Sequence, residues 1–186
     1  MSKTRVSPSE ALQWLYEHPT APVAVDTESR PLKAHKEQLL SKRGLELKLG
    51  ISGVADGRSV AIGVSLTYKD GEGYFSTYVP INHEVGENCD LGTWKKLKYV
   101  LRQGRTLIFA NAPFDFLSLE TVKIRVAEMP FYDIQTVANI ARPHFPFVKS
   151  LDMLARAYLG EDEGKVEEWP YVELNEKGRP VKETTL

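Results

Sequence analysis

What this chain has little of narrows it more than what it has in plenty. Among 186 residues there is one cysteine, Cys89. An internal disulfide is therefore excluded, and no cluster of thiolates is available to hold zinc. No uninterrupted apolar run approaches the roughly 20 residues that cross a bilayer, and the opening MSKTRVSPSE lacks the apolar core of a signal peptide. A soluble, cytoplasmic protein with no membrane partner is the expectation. The four histidines, His18, His35, His83 and His144, are scattered without metal-ligand spacing and read as surface or capping residues. No glycine-rich loop follows an apolar run, so the usual signature of a phosphate-cradling nucleotide site is missing. Excess charge is missing too: the formal net charge is −1, which argues against wholesale coating of a duplex by a basic surface.

The balance of charge is nonetheless uneven. From Glu161 onward there are eight acids against four Lys or Arg, which leaves 20 basic and 17 acidic side chains over residues 1–160. With 42% hydrophobic residues the chain can bury one sizeable core. One domain over 1–160 is expected, followed by an acidic tail over 161–186 with a hairpin around Asn175 to Gly178.

Local signals give an ordered series of elements. Ser7-Pro8-Ser9-Glu10 is a capping box with proline at the first helical position, and Ala11, Leu12 and Leu15 supply an apolar face that ends at His18-Pro19. Val23 to Asp26 reads as a buried strand. Residues 33–58 carry six Lys or Arg against three Asp or Glu; a helix over 36–43 and a strand around 47–52 are expected there, and the positive charge suits guidance of a phosphate backbone. Ser59 to Thr67 and Tyr74 to Pro80 are β-branched and aromatic, and KDGEG between them is a turn. Leu91, Trp94, Leu97 and Leu101 recur at helical spacing as a core stripe. Thr106 to Ala110 is a further apolar strand that turns into a helix through NAPFDFLSLETV, and helices are expected over Asp133 to Ala141 and Leu151 to Leu159.

Chemistry concentrates at Asp26 and Glu28. Two residues apart on a strand, they project from one side, and two acids aimed one way repel unless a cation sits between them. Mg²⁺ and Mn²⁺ are hard ions that take carboxylate oxygens. The pair alone proves nothing, because an Asp-x-Glu triplet is expected about 0.7 times in a chain of this length. A second copy, Asp70-Gly71-Glu72, reads as a solvated turn. The case strengthens with Asp115, which also follows a buried strand and starts a helix. Neighbouring strand ends are where α/β layers build sites, so Asp115 can approach Asp26 and Glu28.

The order VAVDTES, IGVSLTYKDGEGYFSTYVPINH, LIFANAPFDFLSL, FYDIQTVANIARP and KSLDMLARAYLG resembles the 3′–5′ exonuclease (proofreading) domain of family A DNA polymerases, in the DnaQ-like DEDD superfamily. The resemblance covers most of residues 20–160. It implies an RNase H-like α/β fold, a mixed sheet of about five strands flanked by helices. Asp26 and Glu28 fall on the first exonuclease motif and Asp115 on the second, which makes them catalytic residues and ligands of two Mg²⁺ or Mn²⁺ ions. Asn111, Leu32, Thr27 and Phe114 become candidate contacts to the substrate strand. The implied substrate is a single-stranded DNA 3′ end, and the implied partner a polymerase domain in the same longer chain.

The third motif, a Tyr or His followed by a fourth acid, is not legible. Tyr158 to Asp162 matches its spacing, but Tyr158 aligns with the end of the preceding helix. Asp133 and Asp152 read as helix-start residues or local hydrogen-bond acceptors. A shortened chain lacking the final helix of the fold, and weak or inactive alone, is the expectation. Two rivals stand beside it: a non-catalytic exonuclease-like module that binds nucleic acid or a polymerase, and an RNA-trimming relative of the same superfamily.

Overall fold

A computed structural model describes residues 3–32, 54–141 and 151–159. The helix expected over 36–43, the strand around 47–52, the acidic tail with its hairpin, and Ser150, Gly160 and Asp162 lie outside the described residues. The chain divides into two units, Met1–Phe145 and Pro146–Leu186. The described part of the second is one helix, Leu151–Leu159.

The first unit is a six-stranded mixed sheet with helices between its strands. In chain order these are β1 (Lys3–Arg5), α1 (Pro8–Glu17), β2 (Val23–Pro31), β3 (Ser59–Asp70), β4 (Gly73–Pro80), α2 (Leu91–Leu101), β5 (Leu107–Phe109), α3 (Ala112–Thr121), β6 (Phe131–Asp133) and α4 (Ile134–Ala141). The helix of the second unit is α5. The sheet runs β1-β4-β3-β2-β5-β6. β2, β3 and β4 pair antiparallel, while β5 lies parallel to β2 and to β6.

Six strands replace the expected five because two short ones carry no periodic signal. β1 is three residues of polar sequence, and β6 is three residues with Phe131 and Tyr132 exposed. Asp133 closes β6, and α4 begins one residue later than expected. β2 also runs on to Pro31, so Asp26 and Glu28 lie inside the strand and not at its end. Pairing with β3 extends to Pro31↔Ser59, across a register shift at Glu28/Ser29 that lets the ladder continue.

Local chemistry explains the rest. Ser7 accepts from the Glu10 N–H at 3.3 Å while the Glu10 carboxylate accepts from the Ser7 N–H at 3.0 Å, the reciprocal cap read from the sequence. Asp90 caps α2 through the Gly92 and Thr93 N–H groups. The α2 stripe is Leu97, Val100 and Leu101; Leu91 stands 65% exposed at the first turn, outside it. Gly71, at φ +55°, makes the two-residue β3–β4 turn, with Asp70 opposite Gly73.

One face of the sheet carries the core: Val23, Val25, Val64, Leu66, Val79, Leu107 and Phe109 are buried with Leu12 and Leu15 of α1, Leu97 and Leu101 of α2, and Leu119 of α3. Arg105 enters this core with no carboxylate partner among the described residues. Its guanidinium donates to Val100 O at 2.9 Å, Leu15 O at 2.6 Å and Ala21 O at 3.3 Å, and to Gln103 Oε1. It thereby supplies donors to backbone carbonyls in the last turns of α1 and α2 and just beyond α1.

Candidate active site

β5 pairs with β2 only at Val23↔Leu107 and Ala24↔Ile108. Past Ala24 that ladder stops, and the Thr27 N–H bonds instead to a side chain from α3, donating to Asp115 Oδ1 at 2.9 Å. The Thr27 hydroxyl donates to the same oxygen at 2.7 Å. The site thus forms at the carboxyl ends of a parallel strand pair, where open α/β sheets place their ligands.

Strand alternation sorts the residues of β2. Val23, Val25 and Thr27 are buried, whereas Asp26 and Glu28 face the other way and are exposed. Thr27, expected to touch substrate, is 4% exposed and committed to Asp115; its part is to hold that carboxylate. Asp115 is 1% exposed. Burial pushes its pKa up from the ordinary carboxylate value to about 7; the Thr27 hydroxyl resists that rise, and the charges of Asp26 and Asp133 add to it. The Asp26 carboxyl is also pushed up, by desolvation, with the Thr27 N–H working against it. Asp26 is open to solvent by area yet loses enough water to its surroundings to feel the penalty.

The turn into α3 is held from outside its own helix. Asn111 adopts the left-handed conformation, φ 73° and ψ 57°, with no side-chain cap bond. Such a residue costs about 1–2 kcal/mol, and Asp133 offsets it by accepting from Asn111 N at 3.2 Å, Ala112 N at 3.1 Å and Gln135 N at 3.0 Å. Asp133 is thus the hydrogen-bond acceptor the sequence suggested, but it binds the start of α3 as well as that of α4. Proximity across β5 and β6 supplies the contact, and no sequence spacing reports it. The Asn111 side chain is exposed, and Phe114, in the first turn of α3, is half-buried. Leu32 is half-buried at the end of β2, its N–H bonded to Arg58 O at 2.8 Å.

Asp26 and Asp115 therefore share one electrostatic neighbourhood, and Glu28 shares its sheet face with Asp26. Hard oxygen donors that repel one another fit a divalent cation chemically, because the cation would relieve the repulsion. Among the described residues, however, no three His, Cys, Asp or Glu side chains form a ready metal-holding group. Asp115 is turned onto Thr27, which leaves the third carboxylate out of such a group. No helix among the described residues is long and apolar enough to cross a membrane.

Sheet order, parallel pairing at the site and flanking helices define an RNase H-like α/β domain. Among solved structures, the chain is similar to Brucella melitensis NrnC at 16% identity and a TM-score of 0.50, covering 86% of this chain and 61% of that one. It is also similar to Brucella melitensis NrnC with bound Mg²⁺ (18% identity, TM-score 0.49, 86% and 62% covered) and to the apo form of a nuclease (14% identity, TM-score 0.49, 90% and 69% covered). At such identities the likeness is one of fold, and the chain spans about three fifths of the length of either NrnC structure. No family model and no curated protein matches the sequence.

Proposed function

We propose that this domain is a 3′–5′ exonuclease that removes nucleotides from single-stranded DNA ends, beside a polymerase domain in a longer chain. The observation that carries the reading is Asp115: a buried carboxylate bonded to Thr27, its pKa pushed up to about 7, near a second acid on the central strand β2 of an RNase H-like sheet. A group held so far from its ordinary pKa is costly to the fold, and such costs cluster at functional sites. The motif order VAVDTES to LIFANAPFDFLSL supports DNA and the polymerase link.

In this reading Asp26, Glu28 and Asp115 would hold two Mg²⁺ or Mn²⁺ ions. When bound, such ions supply a Lewis acid for the phosphodiester and lower the pKa of water. The chain's own residues do the positioning. Thr27 fixes Asp115 by two bonds, Asp133 fixes the turn that launches it, and Asn111, Leu32 and Phe114 contact the last nucleotides of the strand.

The test is trimming of a 5′-labelled single-stranded oligonucleotide with Mn²⁺, in parallel DNA and RNA forms. A ladder shortening from the 3′ end is expected, slow in this chain alone and faster for DNA, and Asp26→Ala should abolish it with an unchanged melting temperature. Near-parental trimming by Asp26→Ala would refute the assignment. One observation favours a second reading: Asp115 is taken up by the N–H and the hydroxyl of Thr27, which suits an exonuclease-like module that binds strand ends without cutting. Affinity for the oligonucleotide that is indifferent to Mn²⁺, with no trimming, would select it.

A further inference from the structure

α1 and α2 cover the sheet face opposite the one that Asp26 and Glu28 point to, and their outer surface carries side chains that the core does not use. On α2, Lys95, Tyr99 and the C-cap Arg102 fall at i, i+4 and i+7, so they stand in one row along the helix. All three are exposed. Beside that row, Tyr16 of α1 meets Tyr99 with ring centroids 5.6 Å apart and planes tilted by 39°. The two residues stand 47% and 55% exposed. A single surface tyrosine needs no explanation; two in contact, left open together, form a platform.

Cations frame that platform. Lys96 Nζ lies 5.7 Å from the centroid of the Tyr16 ring and also donates to Gln13 Oε1, so the ammonium is held against the ring. α2 itself contains no Asp or Glu, and its cap, Asp90, is occupied by the Gly92 and Thr93 N–H groups. Glu17, the acid next to Tyr16 in sequence, accepts from Gln13 Nε2. Among the described residues, Lys95, Lys96 and Arg102 enter no ion pair. A cation at the end of a helix offsets its macrodipole, which accounts for Arg102. It does not account for Lys95 and Lys96, nor for the open rings.

We infer that the α1–α2 surface is a non-catalytic contact for single-stranded nucleic acid: bases stack on Tyr99 and Tyr16, and phosphates run along Lys95, Lys96 and Arg102. Charge and shape together name the occupant. A row of unpaired cations attracts a polyanion, and aromatic faces between them take bases of any sequence. A chain of acidic side chains would use the cations and leave the rings idle. The inference rests on the nuclease reading for the identity of the polymer. It adds a grip on the strand at a surface away from Asp26 and Glu28, whose charges repel phosphate.

The test is fluorescence anisotropy of a labelled oligothymidylate with the full chain in EDTA, where hydrolysis and metal binding play no part. Tyr16→Ala and Tyr99→Ala should each weaken binding about 10-fold, the scale of one base stacked on a ring. Lys95→Gln with Arg102→Gln should lower the slope of log affinity against log salt by about 1.4, the value for two phosphate contacts on a single strand. On an abasic oligonucleotide the tyrosine effect should vanish and the salt effect should stay, a split that purely structural tyrosines would not give. Parental affinity in both tyrosine variants, an equal tyrosine loss on the abasic strand, or no binding by the parent would each overturn the inference. So would full competition by polyglutamate at equal charge, which would mark an acidic protein as the partner. Its failure is separable from that of the nuclease reading, which is decided by trimming in Asp26→Ala.

Discussion

Asp115 shows what one residue costs its fold. Its pKa rises from 3.8 to about 7 on folding, so the folded state holds a proton that the unfolded state has released. Stability from this group is full below about pH 4 and is lost as pH rises toward 7, by about 1.4 kcal/mol per unit. In EDTA the protein should therefore unfold at lower urea concentration at about pH 7.5 than at about pH 5. Asp115→Asn keeps the Thr27 acceptor and should flatten that slope while raising stability at the higher pH; a slope unchanged in Asp115→Asn would place its origin elsewhere. At this scale the sequence singled out Asp26, Glu28 and Asp115, because acids beside apolar strands in a family-like order can be read from the residues alone. It did not show that Thr27 serves Asp115, which depends on the ladder between β2 and β5 stopping at Ala24. Nor did it show why position 63 is glycine, since the Tyr78 ring that takes the place of a Cβ there comes from the next strand.

Elements are held at their ends more than along their lengths. α1 and α2 were legible because their caps are local: Ser7 with Glu10, and Asp90 with Thr93. What joins them was not legible, since Arg105 collects carbonyls from Leu15, Ala21 and Val100, as far as 90 residues away in sequence. Arg105→Met preserves the apolar stem and withdraws the side-chain donor from Leu15 O, Ala21 O and Val100 O. It should cost about 3 kcal/mol in urea unfolding while specific activity per folded molecule stays near parental; a loss under about 0.5 kcal/mol would mean that water takes over the carbonyls. β1 and β6 escaped detection for a related reason. Three-residue strands are fixed by the edges they join, β4 and β5, and carry too few residues for alternation to register.

On the scale of the whole molecule, a mixed sheet places its chemistry where parallel and antiparallel pairing meet. β2 is central, antiparallel to β3 and parallel to β5, and the acids collect where the parallel partner ends. The fold class was legible in the order of apolar runs and turn signals, and the six-strand sheet agrees with it in kind. The third carboxylate is where pattern and geometry part: Asp115 reaches the neighbourhood of Asp26 but is bonded to Thr27. The central claim is that Asp26, Glu28 and Asp115 act together on a divalent cation, and Mn²⁺ titration followed by electron paramagnetic resonance addresses it directly. The parent chain should take up Mn²⁺ with saturation, and Asp26→Ala and Asp115→Asn should each weaken uptake at least 10-fold with the fold intact. Equal uptake by parent and both variants, or none by the parent, would contradict the account.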